Sequence, residues 1–209
     1  MESAPTDPTS SSPLPFLLGG ERVLLRPHLP GDAPRAFEML EGEQRILSWL
    51  TWAGPSSVQE LAEYYGEWRF RTQDGDDLRL AILDREKGQL VGSIALRFVG
   101  HPDVADVGYW IGAEYHKQGF GTEGLTLAAC LAFRHLDARA LFAWVFDGNV
   151  ASTSMLERNG FVHVRSRDLE LADGSRRREH HMSVVADDWS RTFADWQPRV
   201  EEINSLDGA

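Results

Sequence analysis

At 209 residues the chain is long enough for one domain with short appendages, and 42% hydrophobic with 25% charged residues is the balance of a protein with a sizeable buried core. Its 21 Lys and Arg against 32 Asp and Glu give a net charge of −11, which repels nucleic-acid phosphates and anionic membranes, so no nucleic acid and no membrane is expected as partner. A lone cysteine, Cys130, excludes an internal disulfide and a cysteine-based zinc cluster. No run approaches the ~20 apolar residues of a membrane span, and the first residues lack the basic start and apolar stretch of a signal peptide. A cytoplasmic protein is expected.

Residues 1–15 hold ten Pro, Ser or Thr and one large apolar side chain, Leu14, and read as a disordered leader. The folded domain is expected over 16–186. Glu21–Pro27 is a strand candidate, and Gly31-Asp32 opens a helix through Glu41 with Asp32 as its N-cap. A second helical region follows from Glu43 to Trp52. Ser57-x-x-Glu60 is a capping box, and Val58, Leu61, Tyr65 and Trp68 have the spacing of one helical face. The period then changes: Leu78–Asp84, Gln89–Phe98 and Val104–Ile111 read as strands whose short links make them antiparallel neighbours. A loop, Gly112–Gly121, leads into a helix to about Leu136 that is apolar nearly all round and therefore buried. Ala140–Phe146 is a strand, Asn149–Asn159 a helix ended by Gly160, and Phe161–Leu171 with Arg176–Val185 a hairpin around Asp173-Gly174. In the tail, 187–209, the stripe Trp189, Phe193, Trp196, Val200, Ile203 predicts an amphipathic helix, kinked or split at Pro198. It is read as packing on its own domain, with a lid over the active site or a homodimer contact as the alternative.

Gly119-Phe120-Gly121-Thr122-Glu123-Gly124 matches G-x-G-x-x-G between a strand and a helix, the pattern of a dinucleotide site. Two features argue against NAD. Seven residues separate Ile111 from Gly119, where that fingerprint turns directly off its strand, and too few βα units follow for a doubly wound sheet. What survives is physical: glycines at a helix N-terminus let backbone N–H groups converge on a phosphate, aided by the helix dipole, with His116 and Lys117 beside them.

The order of elements, together with Val107-Gly108-Tyr109-Trp110-Ile111, Gly119-Phe120-Gly121-Thr122-Glu123, Asn149-Val150-Ala151-Ser152 and Met155-Leu156-Glu157-Arg158-Asn159-Gly160-Phe161, resembles the GNAT acyltransferases. It is most similar to their RimJ/RimL-type branch, which acetylates protein N-termini and assorted small amines. The opening Arg22-Val23-Leu24-Leu25-Arg26-Pro27 is similar too, so the resemblance covers about residues 20–188. It implies an α+β fold: a mixed, mostly antiparallel sheet flanked by helices, with the parallel strands 104–111 and 140–146 splayed at the cofactor site. It implies acetyl-CoA as cosubstrate and no metal. The loop His116, Lys117, Gln118, Gly119, Phe120, Gly121 and Thr122 would hold the pyrophosphate, Tyr109, Trp110 and Ile111 would pair with the pantetheine arm, and Asn149 would contact the cofactor. Ser152 would be the catalytic residue that protonates the departing thiolate. Where the family more often has Gln-Gly-Lys or Arg-Gly-Lys before the first loop glycine, this chain has His116-Lys117-Gln118.

The implied reaction is direct attack of a neutral primary amine on the thioester through a tetrahedral oxyanion held by a backbone N–H. The amine would be a protein N-terminus or a small cationic molecule; succinyl-CoA as donor and a non-catalytic acyl-CoA sensor are the alternatives. No base is singled out, since Glu114, Asp147 and His163 each have an ordinary structural reading. Trp49 and Trp52, among aromatics that include Tyr64, Tyr65 and Trp68, would wall the acceptor site, and Asp74, Asp76 and Asp77 could draw a cation to it. Arg176-Arg177-Arg178 reads as a charged edge strand. His180-His181 is no metal site, because adjacent strand residues face opposite ways.

Overall fold

The computed structural model describes residues 16–73, 77–98, 101, 103–170 and 174–202; the leader, Asp74, Asp76, Asp173 and Ile203 lie outside them. The described strands are β1 (Phe16–Gly19), β2 (Val23–Pro27), β3 (Asp77–Asp84), β4 (Leu90–Arg97), β5 (Val104–Ile111), β6 (Ala140–Phe146), β7 (Val162–Glu170), β8 (Arg176–Val185) and β9 (Arg199–Glu202). They form one sheet in the order β7-β8-β6-β5-β4-β3-β2-β1-β9. Every neighbouring pair is antiparallel except β5 and β6, which run parallel.

Helices cover both faces. On one side lie α1 (Ala33–Leu40) and α3 (Val58–Gln73), burying Ala33, Ala36, Met39, Leu61 and Tyr65 against Ala81, Leu83 and Leu90. On the other lie α4 (Phe120–His135), α5 (Val150–Arg158) and α6 (Ala186–Thr192), packed on Leu78, Leu80, Ile82, Ile94 and Leu96. Because both faces of β3 are covered, its sequence Leu-Arg-Leu-Ala-Ile-Leu is nearly continuous in apolar residues rather than alternating. The helix α4 is buried along most of its length; Cys130 lies fully buried on it, and burial pushes its thiol pKa up.

Four expectations need correction. The second helical region contracts to α2 (Gln44–Leu47), after which Trp49 and Leu50 continue in i→i+3 turns. Its one buried residue is Ile46, too little packing to sustain a longer helix. Asp32 precedes α1 but makes no side-chain cap there; its carboxylate takes two bonds from Arg26, at 2.7 and 2.6 Å, and one from the Leu29 N–H at 2.9 Å. The tail is a short helix, α6, followed beyond Pro198 by strand β9, which pairs antiparallel with β1. The aromatic stripe folds onto its own domain: Trp189 is fully buried, with Phe133, Phe193 and Trp196 at 5.6, 4.8 and 6.3 Å between ring centroids. Finally, β8 is an inner strand, with β7 at the edge, and its arginines pair across to that neighbour: Arg176 with Glu170 and Arg178 with Asp168, each at 3.6 Å.

The Ser57 cap is present in altered form. Ser57 Oγ accepts the Glu60 N–H at 3.1 Å, while the Glu60 carboxylate reaches one residue further back, to Ser56.

Candidate active site

The site begins where two strands part. Pairing of β5 with β6 runs through Val104↔Ala140, Ala105↔Leu141 and Asp106↔Phe142 and stops. From Val107 onward β5 stays bonded to β4, and β6 to β8, so the sheet opens between them. The backbone groups of Val107–Ile111 that face the opening are left for an extended guest to pair with, as an added strand would.

At the mouth of this opening stands the N-terminus of α4. Gly119 is its N-cap at φ +91°, a left-handed conformation that glycine adopts without strain. The first helical bond recorded there runs from the Glu123 N–H to the Gly119 carbonyl at 3.0 Å. The N–H groups of Phe120, Gly121 and Thr122 therefore precede the helical ladder and point outward with the positive end of the helix dipole. Gly121 lets this turn come close: a β-carbon there would stand 2.7 Å from Met155 Sδ on α5 and 3.3 Å from Ile111 Cγ1. The loop before it is pinned from within. His116 Nε2 lies 2.9 Å from the Ile111 carbonyl, and the Gln118 side-chain amide donates to the Glu114 carbonyl at 2.7 Å. Lys117, exposed, takes a left-handed φ of +61°. Phe120 is buried edge-on to Tyr115, 5.8 Å between centroids.

Across the opening, Asn149 caps α5, its Oδ1 accepting the Ser152 N–H at 3.1 Å. That fixes Ser152 in the first turn of α5, and its Oγ lies 2.7 Å from the Tyr109 hydroxyl on β5. This hydrogen bond spans the two sides of the opening. Burial pushes the Tyr109 phenol pKa well up, with the Ser152 hydrogen bond opposing, so the phenol keeps its proton at neutral pH. Of its strand neighbours, Ile111 packs with the α4-side core and Trp110 with the α1/α3-side core.

Trp49 reaches the rim. Its ring lies 3.8 Å from where a Gly148 β-carbon would be and 5.4 Å from the Arg177 guanidinium, which also stacks on Phe146 at 3.8 Å and donates to the Ser48 carbonyl at 2.6 Å. Trp52 is 41% exposed. Tyr65 is buried, stacked on His28 at 4.0 Å, and Tyr64 bonds Arg79; the Trp68 side chain lies outside the described residues.

Each base candidate has its own partner. Glu114 pairs with Arg35. Asp147 accepts from His180 at 3.0 Å, a contact that holds its carboxyl below the usual range. His180 in turn is linked through Ser166 to His163, at 2.9 Å for both contacts. Among the described residues no group of three or more His, Cys, Asp or Glu is placed to hold a metal, and no described helix is long and apolar enough to cross a membrane.

Three residues at the site had no separate signal in the sequence. The Glu123 carboxylate accepts the Glu21 and Arg22 N–H groups, tying the β1–β2 turn to α4. Arg22 then lies beside the glycine turn, its Cδ and Nε 3.9 Å from where a Gly119 β-carbon would sit. Asn159, fully buried, donates to the Thr122 and Met155 carbonyls at 3.3 and 3.1 Å and accepts from Thr126 at 2.8 Å, locking α5 to α4. Their partners are remote in the chain, so only the fold reveals them.

Residues 22–162 match the acetyltransferase (GNAT) domain family. The chain is 28% identical over 174 residues to a Bacillus subtilis (strain 168) protein named "Putative ribosomal N-acetyltransferase YdaF", covering 81% of this chain and 94% of that one. Mycobacterium smegmatis RimJ, solved with CoA-disulfide, superposes with a TM-score of 0.76 at 21% identity, covering 90% of this chain and 98% of that one. Spermidine N-acetyltransferase from Vibrio cholerae, solved with CoA and spermine, does so with a TM-score of 0.70 at 20% identity, covering 81% and 99%. The open parallel pair, the glycine-capped helix beside it and the family match agree: the chain belongs to the GNAT acetyltransferase family and is an acyltransferase enzyme.

Proposed function

We propose that the protein transfers the acetyl group of acetyl-CoA to a primary amine, on a polypeptide N-terminus or a small cationic molecule. The observation that carries this reading is the opening between β5 and β6, bordered by the free N–H groups of α4 and crossed by the Ser152–Tyr109 hydrogen bond. The N–H groups of Phe120, Gly121 and Thr122 would receive the diphosphate, with Arg22 and Lys117 as nearby cations. The free edge of Tyr109–Ile111 would pair with the pantetheine amides, and Asn149 holds the turn that presents Ser152. Bound acetyl-CoA supplies an acyl carbon activated by its thioester. Ser152 donates its hydroxyl proton toward the sulfur as the amine attacks directly.

The acceptor is read from charge and from relatives. A net charge of −11 favours a cationic approach. One relative bears "ribosomal" in its name, and one structural neighbour is a spermidine enzyme, a polypeptide and a small polycation respectively. Trp49 at the rim is the side chain best placed to meet the incoming amine.

Thermal unfolding with acetyl-CoA, succinyl-CoA, CoA and NAD tests donor binding. A ligand at 100 times its dissociation constant adds about 2.7 kcal/mol when it binds only the folded state. Stabilisation by acetyl-CoA and none by NAD is expected; no response to any CoA ester refutes the reading. Ser152→Ala is expected to lower kcat about 100- to 10,000-fold while the KM for acetyl-CoA stays within about threefold, as loss of a general acid does. An acyl-CoA sensor would bind with no turnover to lose.

A further inference from the structure

We propose that Tyr109 is a positioning residue for Ser152: its phenol O–H donates to Ser152 Oγ and so aims the serine proton into the opening between β5 and β6, at the sulfur of the bound donor. The inference rests on the acetyl-CoA reading above and extends it to a residue whose side chain that reading leaves without a role.

Geometry supplies the argument. Tyr109 is three residues past Asp106, the last β5 residue paired to β6, so its side chain leaves the strand where the sheet has already opened. Ser152 comes from the far side, on the first turn of α5, held there by Asn149. The two oxygens meet at 2.7 Å, where a chain threading the opening would pass alongside them. Of the two hydroxyls the phenol is the more acidic and therefore the better donor, and the alcohol the better acceptor. Once Ser152 Oγ accepts from Tyr109, its own hydrogen is free to turn into the opening. Burial raises the phenol's pKa and the Ser152 bond only partly opposes it, so it stays a donor across the working pH range.

In the transfer, the amine nitrogen forms the new bond to the acyl carbon and the carbon–sulfur bond breaks. The electron pair leaves on sulfur, sulfur takes the Ser152 proton, and the Tyr109 phenol keeps its own. The proton released by the amine, passed through solvent, restores the Ser152 hydroxyl, so that one amide and one free thiol are formed with nothing left over.

The test compares CoA with desulfo-CoA, which lacks only the thiol, by calorimetric titration of the full chain from neutral to alkaline pH. An ordinary thiol ionises around pH 8.5. Above that pH the wild type is expected to bind CoA about tenfold tighter than desulfo-CoA, the effect of a hydrogen bond to a charged acceptor. Ser152→Ala should abolish that preference. Tyr109→Phe, which keeps the ring, should cut it at least threefold, with desulfo-CoA affinity unchanged in both variants. A wild-type preference in Tyr109→Phe overturns the proposal. So does its loss in Tyr109→Phe with retention in Ser152→Ala, which would make Tyr109 itself the donor to sulfur. Failure of the wild type to bind desulfo-CoA would instead refute the acetyl-CoA reading beneath it. In turnover, Tyr109→Phe should lower kcat about tenfold with the KM for acetyl-CoA held within twofold, and the double variant should be no slower than Ser152→Ala. Additive losses would show the two hydroxyls acting independently and overturn the proposal.

Discussion

Gly121 stands at a three-way contact, since a β-carbon there would crowd Met155 Sδ at 2.7 Å and Ile111 Cγ1 at 3.3 Å. Gly121→Val must push the first turn of α4 away from both α5 and β5. The expected cost is about 1–3 kcal/mol in denaturant unfolding, the range for overpacking, together with loss of the thermal response to acetyl-CoA. A second local prediction concerns the buried group Arg26, His28, Asp32. Burial lowers the His28 pKa and outweighs its contact with Asp32, so His28 is neutral in the fold and gains its proton on unfolding. The unfolded chain then binds the extra proton below about pH 6.5, and stability must fall as pH drops from there toward the folded pKa. Asp32 faces the desolvation of burial, yet the Arg26 and Leu29 hydrogen bonds, with the His28 ring 3.6 Å away, hold its carboxyl far below the usual range. Its contribution is present above about pH 4 and is lost on further acidification. His28→Gln should flatten the part of the stability-against-pH curve that falls away just below about pH 6.5 and leave the limb below about pH 4, both readable by urea melts. At this level the sequence was legible wherever a residue announces its own conformation, as Gly119 and Asn149 do. It was silent on Arg22, Glu123 and the Tyr109 phenol, whose meaning lies in partners 43 to 102 residues away.

The strands β5 and β6 fall on the boundaries that their residue patterns predict, as each is a stretch rich in apolar and aromatic residues with a turn at either end. Their parting after Asp106↔Phe142 is different. Nothing in either strand marks where pairing stops, and only the resemblance to the GNAT enzymes anticipated it. The tail shows the opposite failure. Spacing of 4, 3, 4, 3 between its aromatic and aliphatic residues fits a helix, yet the ring cluster around Trp189 satisfies the first half. Beyond Pro198 the open edge of β1 offers hydrogen bonds that a helix broken by proline could not match. Trp189→Ala removes the fully buried centre of that cluster, which also carries Arg134 at 5.4 Å from the indole. A loss of about 3–5 kcal/mol by denaturant melt is expected, with donor KM unchanged in whatever fraction remains folded.

The whole molecule is one twisted sheet whose described edges are β7 and β9. On β7, Val162 and Val164 are 64% and 55% exposed, but the strand also carries Arg165, Arg167, Asp168 and Glu170, charges that discourage another strand from adding to it. At the other end β9 shields β1, which is only four residues long and apolar. Ending the chain at Trp196 would bare that edge; concentration-dependent association by light scattering is the expected result, with the acetyl-CoA site intact. Cys130 carries a practical corollary. An acyl-CoA-dependent transferase liberates one thiol per turnover, and the enzyme's own thiol is sealed inside α4 with its ionisation suppressed. A thiol-reactive dye added to the native protein therefore counts product alone, and the same dye, given time without substrate, reads out how often the molecule opens.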